Sequence, residues 1–140
     1  MQRSVWQILN GLWQDAILPV SDIDAIPASF QGNILVPFAV ESALSGVSET
    51  VGKDSILWYQ RTITVPVKRK GKRILLHFGA VDWRSDIYIN GKNVGRHEGG
   101  YDPFTFDVTD DLKKGTNQQL SVRVWDPTND GPQPHGKQVV

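Results

Sequence analysis

The stretch NVGRHEGGYDPFTFDVTD, from Asn93 to Asp110, sets a histidine beside a glutamate, next to a glycine pair and ahead of a tyrosine, a proline and alternating phenylalanines. An imidazole beside a carboxyl has the makings of acid–base chemistry. His97-Glu98 is only the first half of a metalloprotease H-E-x-x-H, however, and the chain has neither a G-x-S-x-G elbow nor a G-x-x-x-x-G-K-[ST] loop. Its three histidines, His77, His97 and His135, are scattered and do not have metal-ligand spacing. His77 is out of phase with the apolar set of its strand and reads as structural. Neither a metal nor a cofactor is expected.

Glycoside hydrolysis requires two carboxyl groups about 5 to 10 Å apart across a sugar ring. Asp82, Asp86, Glu98, Asp102, Asp126 and Asp130 are available, but their spacing fixes no pair, and turn or cap roles account for Asp102, Asp110, Asp111 and Asp130. Aromatic faces suit binding, because a flat ring matches the C–H face of a pyranose. Trp58, Tyr59, Trp83, Tyr88, Tyr101 and Trp125 could serve. Tyr59 is in phase with Ile63 and Val65 and reads as core, whereas Trp125 is out of phase with Val122 and Val124 and belongs at an interface. Asp82, Trp83 and Arg84 form the polar-aromatic cluster best suited to touch a ligand, against the plainer reading of a strand-end turn.

The elements that must position these residues are strands. In ILWYQRTITVPV, Tyr59, Ile63, Val65 and Val67 share one face and Gln60, Thr62 and Thr64 the other, the period of a half-buried strand. Lys68 to Gly71 reads as a solvated turn. Ile74, Leu76, Phe78 and Ala80 alternate next, then Ser85, Ile87 and Ile89 against Asp86, Tyr88 and Asn90. Asn90-Gly91 is a two-residue hairpin signal, since both residues tolerate positive φ. Phe104, Phe106 and Val108 form another alternating set, as do Leu120, Val122 and Val124. About five strands in roughly seventy residues is the spacing of an antiparallel sandwich or barrel. The first fifty residues read as looser. Ser21 to Ile26 suits a helical turn, and Asn33 to Val47 holds one short apolar run followed by a small-residue segment suited to a sheet edge. Gly99-Gly100 is expected to supply positive φ for a sharp turn that Pro103 exits.

A length of 140 residues fits one domain, 1–140, and is too short for a core plus a second enzyme-sized lobe. Fifteen basic residues balance fifteen acidic ones, so no long-range field recruits nucleic acid or an anionic membrane. The absence of cysteine removes disulfides and thiolate metal sites but leaves the compartment open: periplasmic or extracellular if an export signal has been removed, otherwise cytoplasmic. The start, MQRSVWQILNGLW, is neither a signal peptide nor a membrane span.

Taken in order, LNGLW, ILVPFAVESALSG, WYQRTITVP, LLHFGAVDWRSDIYINGKNVG, HEGGYDPFTFDVTDDL and VRVWDPTNDGPQPHGKQ resemble the N-terminal sugar-binding domain of glycoside hydrolase family 2, the β-galactosidases, β-glucuronidases and β-mannosidases. The resemblance spans nearly the whole chain. It implies a jelly-roll β-sandwich of the galactose-binding type, followed in the same polypeptide by an immunoglobulin-like sandwich and a TIM barrel. Two barrel glutamates would carry out retaining hydrolysis. No segment here matches the barrel, so the chain is expected to be a non-catalytic fragment of a longer glycosidase, inactive alone. The resemblance places a carbohydrate contact at Asp82, beside Trp83, with Asp126, His135, Lys137 and Gln138 as further candidates. His135 stands where many relatives have Arg. Ending at Val140, the chain is also expected to leave an edge or apolar surface that could pair in a homo-oligomer. An independent carbohydrate-binding module and a purely structural or oligomerisation domain are the competing readings.

Overall fold

The computed structural model describes residues 6–22, 25–66 and 71–127. They form eight strands: β1 (Gly11–Pro19), β2 (Gly32–Val36), β3 (Ser55–Thr64), β4 (Leu75–Phe78), β5 (Arg84–Ile89), β6 (Lys92–Glu98), β7 (Phe104–Asp107) and β8 (Asn117–Trp125). There is no α-helix among the described residues; short 3-10 turns lie at Val20–Asp22, Ala43–Ser45 and Thr109–Asp111. An antiparallel sheet in the order β2-β1-β3-β8-β5-β6 is one layer, and β4 pairs with β7 in the other. The chain crosses repeatedly between layers, since β4 and β7 belong to the small sheet while β5, β6 and β8 return to the large one. This is the all-β jelly-roll sandwich expected from the sequence.

The alternating residues fill the space between the layers. Leu57 and Ile63 of β3, Ile87 and Ile89 of β5, and Leu120, Val122 and Val124 of β8 are buried with Trp13, Ile34 and Leu76. Phe78, Phe104 and Phe106 close over them from the small sheet. The layers approach closely at Gly95, where a Cβ would lie 2.2 Å from the Phe106 ring. The Asn90-Gly91 hairpin forms as expected, with φ of 51° and 84°. Asn90 also ties the turn to β8: its Nδ2 donates to Gln118 Oε1 at 2.7 Å and its Oδ1 accepts from the Gln119 amide at 2.9 Å.

β1 was not legible as a strand because its second half is covered on both faces. Trp13 and Ile17 face the inter-sheet core, while Ala16 and Leu18 join Ile56 and Trp58 on the outer face, beneath Val20, Ile26 and Phe30. The apolar run forms β2, which is the sheet edge, whereas the small-residue segment expected there carries the 3-10 turn at Ala43–Ser45. The 3-10 turn at Val20–Asp22 covers the start of the predicted Ser21 to Ile26 turn, whose middle lies outside the described residues, as do Val67 to Lys70.

Two buried acidic residues interrupt the apolar pattern. Asp86, on the outer face of β5, accepts from Arg123 Nη1 and Arg96 Nε, each at 2.7 Å. These are its direct cross-strand partners on β8 and β6. Asp15 of β1 points inward opposite Gly32, where a Cβ would lie 2.7 Å from its Oδ1, and that oxygen has no hydrogen-bond partner. Burial, then the charge of Glu49, pushes its pKa up. Its neighbour across β3 is Tyr59, whose hydroxyl is pushed up by burial and by the charges of Glu41 and Asp15.

Asp86→Ala leaves the buried Arg123 guanidinium without its counter-charge, and a loss of about 3–5 kcal/mol is expected in urea unfolding; a loss below about 1 kcal/mol contradicts the pairing. Asp15 behaves oppositely. Its folded-state pKa is raised, so its contribution to stability is fully present below the ordinary carboxylate pKa and is lost as pH rises through the raised value. Asp15→Asn, which cannot ionise, is expected to melt above the parent at about pH 8, with the gap shrinking toward about pH 4; a gap independent of pH contradicts this.

Candidate functional site

The candidate site lies at the end of the sandwich where β5 begins and β6 and β8 finish. Arg84, the first residue of β5, is registered against both Trp125 of β8 and Glu98 of β6. Residues 82 and 83 on one side and 126 on the other are therefore the next positions beyond the paired ends. The structure thus brings three of the six sequence-derived site residues, Asp82, Trp83 and Asp126, to one end of the fold, each half-buried. His135, Lys137 and Gln138 lie outside the described residues.

Glycines hold this end together. The Gly99 amide donates to the Trp83 carbonyl at 2.9 Å, fastening the β6–β7 turn to the segment before β5. Gly99 has a φ of 117°, which favours glycine. Gly100 is needed for a different reason. A Cβ there would lie 2.6 Å from Cγ and Oδ1 of Asp82 and 2.9 Å from Oδ2, so its bare Cα leaves room for the carboxylate. The expectation of positive φ for the glycine pair therefore holds at Gly99, while Gly100 serves close approach.

Arg84 links the three strand ends. Its Nε donates to Glu98 Oε1 at 2.8 Å, and its guanidinium lies 5.4 Å from the Trp125 ring centroid. A cation over an indole face is attracted by the ring quadrupole, and the pair orients the ring. Trp125 is fixed from its other end by donating from Nε1 to the Lys53 carbonyl at 2.7 Å. Sequence reasoning placed Trp125 at an interface but missed the Arg84–Glu98–Trp125 set, because only register brings residues 84, 98 and 125 together.

The adjacent His97 and Glu98 are not an acid–base pair. Glu98 is held by Arg84, whereas the His97 ring stacks on Phe104 at 4.1 Å, continuing the Phe78–Phe104 stack. His77 is exposed, stacked on Trp6 and hydrogen bonded to Thr105 Oγ1 at 2.7 Å. No cluster of three or more His, Asp or Glu side chains suited to a metal occurs among the described residues. The arrangement offers a carboxylate, oriented aromatic rings and a cation at one rim, which suits hydrogen bonding and stacking.

An antiparallel arrangement of this order defines an all-β sandwich domain. Residues 3–132 match the family described as "Glycosyl hydrolases family 2, sugar binding domain". The chain belongs to glycoside hydrolase family 2, as its N-terminal sugar-binding domain. It is 40% identical over 65 residues to a β-galactosidase of Thermoanaerobacter pseudethanolicus, a match covering 46% of this chain and 9% of that protein. Over 124 residues it is 27% identical to a β-glucuronidase of Streptococcus agalactiae, covering 83% and 18% of the two. The solved β-glucuronidase of Lactobacillus rhamnosus shares the fold with a TM-score of 0.69 and 31% identity, over 86% of this chain and 21% of that one. The chain thus corresponds to about a fifth or less of these larger proteins.

Gly100→Ala is expected to push the Asp82 carboxylate aside while changing unfolding stability by less than about 1 kcal/mol, since the far end of a side chain can move more cheaply than backbone. The side-chain carboxyl 13C resonance of Asp82 reports the displacement. An unmoved resonance contradicts the close approach.

Proposed function

We propose that the chain is the non-catalytic sugar-binding domain of a retaining glycosidase that hydrolyses O-glycosidic bonds, and that Asp82 is its principal contact to substrate. The observation that carries this reading is the seating of the Asp82 carboxylate against Gly100, at the rim that also holds Trp83, Trp125 and Asp126. An ionised carboxylate accepts hydrogen bonds from sugar hydroxyls, and charge-assisted bonds are the strong ones. Trp83 offers an aromatic face to the C–H side of a ring. Asp126 adds an acceptor, and His135, Lys137 and Gln138, a few residues further on, are proposed as additional contacts.

The relatives support a role in a larger enzyme: they bear the names β-galactosidase and β-glucuronidase, and this chain matches only a small part of each. Retaining hydrolysis requires two carboxyl groups about 5–5.5 Å apart. Glu98 is engaged by Arg84. As the family resemblance implies, the catalytic pair is assigned to a TIM barrel in the same polypeptide, joined to this domain through an immunoglobulin-like sandwich. The domain supplies scaffold and a substrate contact, and the partners are a carbohydrate and those further domains.

Asp82→Ala in the barrel-bearing enzyme is expected to lower kcat/KM on aryl β-glycosides by roughly 10- to 100-fold, as loss of a hydrogen bond to a charged group costs about 1.5–3 kcal/mol. The 140-residue chain alone is expected to release no aglycone from the same substrates. An unchanged kcat/KM reduces the domain to scaffold, and hydrolysis by the isolated chain overturns the division of labour.

A further inference from the structure

We infer that the domain carries a second sugar site, for a single neutral pyranose ring, on the outer face of its large sheet and away from Asp82. The registers of β1, β2 and β3 place Asn33, Gln14 and Gln60 side by side in one row across that face. Gln60 extends the row by donating to Ser121 Oγ at 3.2 Å. The next row toward the start of β1 sets Leu12 opposite Leu35, 63% and 38% exposed. Between the rows lies a shallow hollow of about 250 Å³, with Leu12, Gln14, Asn33, Gln60 and Thr62 in its walls.

The side chains of this hollow select the ligand class. A planar amide offers a donor and an acceptor in one plane, which matches two neighbouring hydroxyls of a sugar. Three amides and the Thr62 hydroxyl supply such pairs without net charge, and Leu12 supplies an apolar wall for ring C–H groups. Arg61 is the charged residue lining the hollow, and its Nη1 is spent on the Leu9 and Asn10 carbonyls at 2.6 and 3.1 Å. The other hydrogen-bonding groups of the hollow are uncharged, which suits a neutral ring over an anion. A second copy of the chain is also a poor occupant, because covering the amide row desolvates it and every amide then needs a matched partner. The hollow is smaller than the roughly 300–1,000 Å³ of sites for drug-sized ligands, which suits one ring.

This site does not rest on the role proposed for Asp82. Gln60–Thr62 lie three to five residues along β3 from Leu57, the residue opposite Val124 near the Asp82 end, which is roughly 10–17 Å.

The test is a 1H–15N titration of the 140-residue chain with methyl β-D-galactopyranoside and methyl β-D-glucopyranoside, carried to about tenfold above a weak Kd of about 1 mM. The side-chain NH2 signals of Gln14, Asn33 and Gln60 are expected to move together and saturate with at least one of the two sugars. Gln14→Ala is expected to weaken that response about tenfold or more, Asn33→Ala on the exposed edge serves if the first variant misfolds, and Asp82→Ala is expected to leave it unchanged. Stationary amide signals overturn the inference. So do shifts that follow protein concentration without sugar, which would mean a second copy, tighter binding of sodium glucuronate, which would mean an anion site, or a response abolished by Asp82→Ala.

Discussion

The register of the large sheet depends on Asp86. Its carboxylate is buried on the outer face of β5, between its cross-strand partners Arg123 and Arg96. Sliding β5 by one residue against β8 would turn Asp86 into the inter-sheet core and Ile87 outward, since side chains alternate between faces. A buried carboxylate without a counter-charge is among the costliest arrangements in a fold, so the ion pairs exclude that register. Trp58 stands opposite Arg123 on the next strand, so the same row continues onto β3.

The register then sets the end that holds the candidate site. With Asp86 opposite Arg123 and Arg96, Arg84 falls opposite Trp125 and Glu98, where it bonds to one and stacks over the other. Asp82 and Trp83 consequently leave the sheet beside the exit of β8. The β6–β7 turn is fastened to them through the Gly99 amide, with Gly100 making room for the carboxylate. The candidate site residues are held by strand ends and paired backbone, which limits how far the rim can shift.

Much of this was legible in the sequence. The alternating residues of β3, β5 and β8 face the core as their spacing implied, and Asn90-Gly91 makes its hairpin. β1 escaped because its second half, covered on both faces, loses its period, and Asp15 on its inner side argues against burial. Asp86 was in phase with the polar face yet is buried, because its partners come from β8 and β6 and no local pattern announces them. The same holds for the rim: Asp82, Trp83 and Asp126 could be named from motifs, whereas Arg84–Glu98–Trp125 exists only once three strands are in register. The glycine pair was read as a turn, and its second member turns out to serve Asp82, one hairpin earlier.

The family membership and the sandwich are those of a sugar-binding domain of glycoside hydrolase family 2, and the role proposed for it is to hold one carboxylate ready for a sugar while the bond-breaking chemistry belongs to other parts of the polypeptide. The most direct measurement is a crystal structure of the barrel-bearing protein with a glycoside bound. The account predicts an Asp82 carboxylate oxygen within about 2.6–3.2 Å of a sugar hydroxyl, with Gly100 still against its other side. A bound glycoside whose hydroxyls are all satisfied by other residues, with Asp82 turned away from it, would contradict the account.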